Sequence, residues 1–174
     1  DRIAEAIRDL TTVIDRCNQS VHLDSVEQSI TRVACDPALI LREACASHQA
    51  AERTVLAAPE ALTLKSDPVL LRVIVSNLIE NALKYSPAGS RVDVALAEAP
   101  EGRLEITVEN DAGQAGMPDP ARVFERYYRS PRALSQIGSG LGLYLVQGLV
   151  RILGGGIAYE PQGGRVRFRL WLPC

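Results

Sequence analysis

Apolar residues recur at three- and four-residue intervals over the first 22 positions, at Ile3, Ala6, Ile7, Leu10, Val13, Ile14 and Cys17. This narrow stripe predicts an amphipathic helix that needs a partner to bury it. The segment from Ser20 to Thr31 is polar and loses the period, which reads as a linker with a short strand near Ile30–Val33. Asp36 as cap and Pro37 at the first helical position announce a second helix running to about Ala51. Short strands are expected at Arg53–Ala57 and Leu62–Leu64, separated by Ala58-Pro59-Glu60. A third helix is capped by Ser66 or Asp67, starts at Pro68 and stops at Tyr85-Ser86-Pro87-Ala88-Gly89.

The period then changes to two. Val92, Val94 and Leu96 face Leu104, Ile106 and Val108 in a hairpin turning across residues 99–102. Residues 109–140 are rich in Gly, Pro and Ser, long for a loop inside a compact domain, and therefore expected to be functional and mobile, with a short helical turn around Pro120–Tyr128. Leu141–Leu153 is a helix ended by Gly154-Gly155-Gly156, and Gly156–Glu160 and Arg165–Leu172 pair as the last strands. In the final strand Val166, Phe168, Leu170 and Leu172 alternate with Arg165, Arg167, Arg169 and Trp171, one face for a core and one for solvent. The resulting fold class is an α/β (α+β) two-layer sandwich, a mixed and mostly antiparallel sheet with three helices on one side.

Composition narrows the function. With 174 residues, 47% of them apolar, the chain builds one substantial core without staples. A net charge of −2 argues against a nucleic-acid footprint, and Lys84 is one of only two lysines, with Lys65. Cys17, Cys35, Cys45 and Cys174 form no C-x-x-C pair and have no nearby histidine, so neither a zinc site nor a redox pair is supported. No apolar run reaches the length of a membrane span and no signal-like segment opens the chain; beginning inside a helical pattern, it is expected to be a piece of something longer.

Two stretches carry candidate chemistry. In Asn77-Leu-Ile-Glu-Asn81-Ala-Leu-Lys84-Tyr85 the spacing of four and three places two amides and an ammonium along one helix stripe. Amide carbonyls beside an ammonium suit a hard divalent cation carrying phosphate oxygens; taken alone, the row equally describes a helix with one polar face. In Gly138-Ser139-Gly140-Leu141-Gly142-Leu143 a glycine-rich turn runs into an apolar helix, a phosphate seat built from close backbone approach and helix N–H groups, or simply a helix cap. The turn fits neither the Gly-x-x-x-x-Gly-Lys pattern nor a dinucleotide fingerprint.

As an ordered set, Asn77-x-x-x-Asn81-Ala-x-Lys84-Tyr85-Ser86, Phe124-Glu-Arg-Tyr-Tyr128-Arg129 and Gly138-Ser-Gly-Leu-Gly142-Leu resemble the catalytic, ATP-binding domain of two-component sensor histidine kinases, over residues 30–174. Residues 1–29 are similar to the second helix of that family's dimerisation and phosphoacceptor hairpin, followed by a linker. The resemblance implies the Bergerat sandwich shared with DNA gyrase and the heat-shock chaperone ATPases. It implies ATP and magnesium as cofactors, with Asn81 ligating the metal and Asn77 nearby. Lys84 would pair with phosphate and Tyr85 lie along the nucleoside. Phe124 would anchor the start of a lid, Tyr128 and Arg129 would face the nucleotide, and Gly138, Ser139, Gly140, Leu141 and Gly142 would hinge the lid and cradle phosphates. The implied partners are the chain's own hairpin in a homodimer and a response regulator. The implied place is the cytoplasm, with the parent anchored in the bacterial inner membrane and no membrane contact by this part.

The sequence departs from the family in two places. Where the family reads Asp-x-Gly-x-Gly for adenine, this chain has Asn110-Asp111-Ala112-Gly113-Gln114-Ala115-Gly116. Strand parity and spacing back from Phe124 put Asn110 in the aspartate's place; glycine spacing favours Asp111 instead. The second departure is that neither His22 nor His48 is followed by the acidic residue and later proline of a phosphoacceptor, so this chain is expected to bind ATP without labelling itself. Two alternatives stand beside the kinase: a gyrase- or chaperone-like ATPase, whose general-base glutamate would occupy the place of Asn77, and a degenerate scaffold without activity.

Overall fold

The computed structural model describes residues 30–46, 51–100, 102–133 and 138–174. The stripe over residues 1–22, most of the linker, His22 and His48 lie outside them. In chain order the elements are β1 (Val33–Cys35), α1 (Pro37–Ala46), β2 (Thr54–Ala57), β3 (Leu64–Ser66), α2 (Pro68–Tyr85), β4 (Val92–Ala99), β5 (Arg103–Asp111), α3 (Gly142–Ile152), β6 (Gly156–Tyr159) and β7 (Arg165–Pro173). The main sheet has the order β2-β4-β5-β7-β6; β2 runs parallel to β4 and every other pair is antiparallel. The three described helices and the five-stranded sheet form the expected mixed two-layer sandwich.

Local capping explains the helix starts. Asp36 Oδ1 accepts from the N–H of Ala38 (2.9 Å) and Leu39 (3.3 Å), and Asp67 Oδ1 accepts from Val69 (3.0 Å) and Leu70 (3.1 Å). Of the two caps expected for α2, Asp67 is the one used, because Ser66 is taken up as the last residue of β3. β1 and β3 both lie C-terminal to their expected positions. They pair with each other in a small antiparallel sheet (Val33↔Ser66, Cys35↔Leu64), so partner register rather than local alternation sets their bounds; Leu62 instead donates its N–H to Asp36 Oδ1 at 3.3 Å.

The core lies between the helices and one face of the sheet. Val92, Val94, Leu96, Leu104, Ile106, Val108, Val166, Phe168, Leu170 and Leu172 are buried there against Leu41 of α1, Leu71, Ile74, Leu78 and Ile79 of α2, and Leu145, Val146 and Leu149 of α3. The opposite face carries a ladder of ion pairs: Arg165 with Asp93 (2.6 Å) and Glu109 (3.1 Å), Arg167 with Glu109 (2.8 Å), and Arg169 with Glu105 (3.2 Å) and Glu160 (2.5 Å). Trp171 on that face lies over Gly156, where a Cβ would come within 2.3 Å of its ring.

The long segment after β5 is shorter than its sequence suggests, because β5 continues to Asp111. The expected helical turn around Pro120–Tyr128 is a single turn, with Val123 N–H on Asp119 O (2.9 Å), followed by tight turns with Glu125 on Arg122 O (2.8 Å) and Tyr128 on Glu125 O (3.2 Å). Tyr127 ends the run in the left-handed region (φ 64°), which a helix does not tolerate.

Asp67 also accepts the N–H of Thr31 on Oδ2 (2.9 Å), so one side chain serves three backbone donors. Asp67→Ala is expected to cost about 2 kcal/mol, read as a lowered urea midpoint with unchanged slope.

Candidate functional site

The C-terminal turns of α2, the N-terminus of α3, the inward ends of β5 and β7, and the segment after β5 enclose a cavity of about 850 Å³, counting its open mouth. Asn81, Lys84, Tyr85, Asn110, Tyr128, Arg129, Gly138, Ser139, Gly140 and Gly142 all line it. Residues expected from three separate motifs therefore meet on one surface. Among the described lining residues none is acidic, while Lys84, Arg129 and the first turn of α3 supply positive charge or unpaired N–H groups. Such a wall suits a polyanion.

Asn77 and Leu141 are not in the lining. Asn77 is 7% exposed at the crossing of α2 and α3. Its Nδ2 donates to Val73 O (2.8 Å), and its Oδ1 is buried without a hydrogen-bond partner. A Cβ on Gly142 would sit 3.2 Å from that Oδ1 and 3.5 Å from Asn81 Nδ2, so the glycine lets α3 begin against the amide pair. The row read from the sequence thus runs from the interior outward: Asn77 buried, Asn81 half-buried, Lys84 exposed. Leu141 is fully buried and acts as the N-cap position of α3, its N–H held by Ser139 Oγ (3.3 Å).

The glycine turn lies close against its neighbours. A Cβ on Gly140 would fall 2.7 Å from the Tyr127 carbonyl carbon, a backbone atom that cannot give way, while one on Gly138 would fall 2.6 Å from Lys84 Nζ, which would have to swing aside. Gly140 has φ +72° and its carbonyl accepts from Tyr127 N–H at 3.0 Å, joining the middle of the segment to its C-terminal end. Tyr128 Oη accepts from Asp119 N–H (2.9 Å) with Arg122 over its ring, and Arg129 donates to Ala133 O (2.5 Å). Phe124 stands outside the lining and packs edge-on against Phe168 at 6.0 Å, fixing the segment to the cavity floor.

Between the two registers the structure follows the pleat. Asn110 continues the face of Leu104, Ile106 and Val108, is 3% exposed and lines the cavity, whereas Asp111 points to the other face and pairs with Arg165 at 3.3 Å. Asn110 Nδ2 donates to Asp111 O (2.7 Å), leaving Oδ1 as the acceptor of that side chain. Gly113 serves a different purpose: its N–H bonds Tyr85 O at 3.0 Å, and a Cβ there would be 2.4 Å from that oxygen.

Several lining residues carry no motif. Val166 and Phe168 read as plain core positions, yet at the start of β7 the inward face runs out past the helices and becomes the cavity floor. Ala115, Gly116, Pro118, Val123, Ser130 and Ala133 belong to the irregular segment, where no period marks which side faces in. Behind the floor, Tyr159 packs on Phe168 at 5.3 Å with its hydroxyl buried and unpartnered. Burial, with Tyr128 nearby, pushes its phenol up to about 12.

The chain matches the family described as histidine kinase-, DNA gyrase B- and HSP90-like ATPase over residues 66–174. It belongs to that family, and its named relatives are sensor histidine kinases. It is 32% identical over 108 residues to the sensor histidine kinase HprS of Escherichia coli K12, covering 62% of this chain and 24% of that protein. With the signal transduction histidine-protein kinase/phosphatase MprB of Mycolicibacterium smegmatis the identity is 46% over 87 residues, covering 49% of this chain and 18% of that protein. Among solved structures, a mycobacterial sensor histidine kinase MprB superposes with TM-score 0.69 at 25% identity, over 82% of this chain and 97% of the other. The aligned part is thus 24% and 18% of the length of the two curated relatives. No helix among the described residues is long and apolar enough to cross a membrane.

Gly140→Ala is expected to lose about 1–3 kcal/mol, because it combines a backbone clash with an unfavourable φ, and to raise the mobility of the segment it joins, read by proteolysis. Tyr159→Phe removes a hydroxyl that has no partner, so stability at pH 7 should be unchanged or higher. Since the phenol titrates higher folded than its ordinary value near 10, native stability is complete below pH 10 and drains as pH rises toward 12. Tyr159→Phe should flatten that loss in alkaline unfolding curves.

Proposed function

We propose that residues 30–174 are the ATP-binding catalytic domain of a sensor histidine kinase and that residues 1–29 end its dimerisation hairpin. The observation that carries this reading is the acid-free cavity in which Asn81, Lys84 and the glycine turn share one end with α3, while Asn110 is sunk in the wall supplied by β5. An adenine nucleotide fits that polarity. Asn110 Oδ1 accepts from the adenine amino group, Tyr85 lies along the nucleoside, Lys84 and Arg129 pair with phosphate oxygens, and the N–H groups opening α3 meet the phosphates as Gly138, Ser139, Gly140 and Gly142 allow close approach.

The residues present also fit magnesium. Among the described residues no three His, Cys, Asp or Glu side chains gather to hold a metal, so a cation here takes amide and phosphate oxygens. Asn81 would hold it, with the unpartnered Oδ1 of Asn77 buried one turn behind. Bound magnesium neutralises phosphate charge. Asn77 in place of a general-base glutamate argues for phosphoryl transfer rather than hydrolysis by a gyrase-like route.

In the reaction, a histidine imidazole nitrogen of the dimerisation hairpin attacks the γ-phosphorus. A P–N bond forms while the bond to the β,γ-bridging oxygen breaks, and ADP leaves with the electron pair. The domain's part is to position and neutralise. The phosphoryl group then passes to a response regulator, from a parent homodimer whose catalytic part works in the cytoplasm beneath a membrane anchor.

Calorimetric titration with a non-hydrolysable ATP analogue and magnesium tests the reading. Asn81→Ala should weaken binding at least about ten-fold, the loss of a charge-assisted contact, and Asn110→Asp should strengthen it several-fold by restoring charge to the adenine bond. With labelled ATP the chain alone should stay unlabelled and should label a supplied hairpin carrying the phosphoacceptor. No binding at millimolar nucleotide would leave the scaffold reading.

A further inference from the structure

We propose that Arg53 is a positioning residue for the phosphate end of the cavity, holding the last turn of α2 so that Lys84 and Tyr85 meet the glycine turn; this rests on the nucleotide reading above. Arg53 ends a short 3-10 turn directly before β2. The parallel pairing Thr54↔Val92 sets it beside the loop that leads from α2 into β4. From there its guanidinium reaches four acceptors: Nε donates to Ser90 O (2.8 Å), Nη2 to Pro87 O (3.0 Å) and Ser86 Oγ (2.5 Å), and Nη1 to Leu83 O (3.5 Å). Ser86 Oγ in turn donates to Leu83 O at 3.3 Å.

A helix C-terminus leaves its last carbonyls without intrahelical partners. In α2 those carbonyls belong to the turn that presents Lys84 and Tyr85, and a frayed turn would swing both side chains. Arg53 serves Leu83 O directly and through Ser86, and its fixed cation complements the negative end of the helix dipole. Gly113 N–H serves Tyr85 O from the other side. Lys84 Nζ reaches the glycine turn from this helix end, 2.6 Å from where a Cβ on Gly138 would sit. Arg53 is itself absent from the cavity lining, so it acts on nucleotide only through α2. A lysine, with three donors on one nitrogen, cannot span acceptors spread over a whole loop as the planar fork does.

The experiment is a double-mutant cycle on the 174-residue chain, titrating a non-hydrolysable ATP analogue with magnesium into wild type, Arg53→Met, Lys84→Met and the double variant. Arg53→Met should weaken binding about ten-fold, the worth of charged hydrogen bonds, but less than about two-fold when Lys84 is already replaced. Arg53→Lys should fail to restore affinity, and hydrogen exchange at the Ser86 amide should speed up in both Arg53 variants. Equal losses in both backgrounds, or no loss, would overturn the proposal by reducing Arg53 to general stability. If Arg53→Met does not fold, Ser86→Ala removes only the relay hydroxyl and should show a smaller loss, again only when Lys84 is present. If the wild-type chain binds no nucleotide, the functional reading fails, and exchange at Ser86 still decides whether Arg53 holds the turn.

Discussion

Everything at the cavity depends on satisfying the two ends of α2. Asp67 accepts N–H groups at its start, and the loop after its end is gathered by Arg53 and Gly113. Between these points the helix buries Leu71, Ile74, Leu78 and Ile79 against the sheet, which fixes its rotation. Rotation then dictates that Asn77 turns inward, Asn81 faces the cavity and Lys84 reaches its rim. One helix thereby converts core packing into an ordered row of polar side chains, and α3 begins close against that row at Gly142, where a Cβ would sit 3.2 Å from Asn77 Oδ1.

The elements whose signals are local were legible in the sequence. The caps at Asp36 and Asp67, the alternation in β4, β5 and β7, and the glycine stop after α3 all rest on interactions within a few residues. The bounds of β1 and β3 were not, because each exists only as the other's partner. At the site, the stripe on α2 and the glycine turn could be read since both are periodic or compositional. The burial of Asn77 outside the cavity lining was not legible, because helix spacing tells which residues share a stripe and not where a second helix will cross it. Val166 and Phe168 were missed for the complementary reason: alternation marks the inward face, but not where the covering helices end.

Asn110 shows how one residue can satisfy strand geometry and alter chemistry. The pleat delivers it to the cavity as surely as it would an aspartate, and the neighbouring Asp111 is spent on Arg165 across the sheet. The buried position therefore holds a neutral acceptor where the Asp-x-Gly-x-Gly pattern would put a charged one. Gly113, one residue out of step with that pattern, is retained for backbone approach to Tyr85, so the glycine requirement at this turn comes from the end of α2.

The outer face of the sheet has a bearing on how the chain reaches this structure. A one-residue slip of β7 would drive Arg165, Arg167 and Arg169 into the apolar layer and lift Val166, Phe168 and Leu170 into water. A two-residue slip keeps the faces but moves Trp171 off Gly156 onto Ala158, where a methyl group stands in the way. The ion-pair ladder adds little to native stability, pair by pair. Its larger effect is on the competitors: during folding it makes the wrong pairings of the last strand costly, so the collapsed chain has one sheet to find.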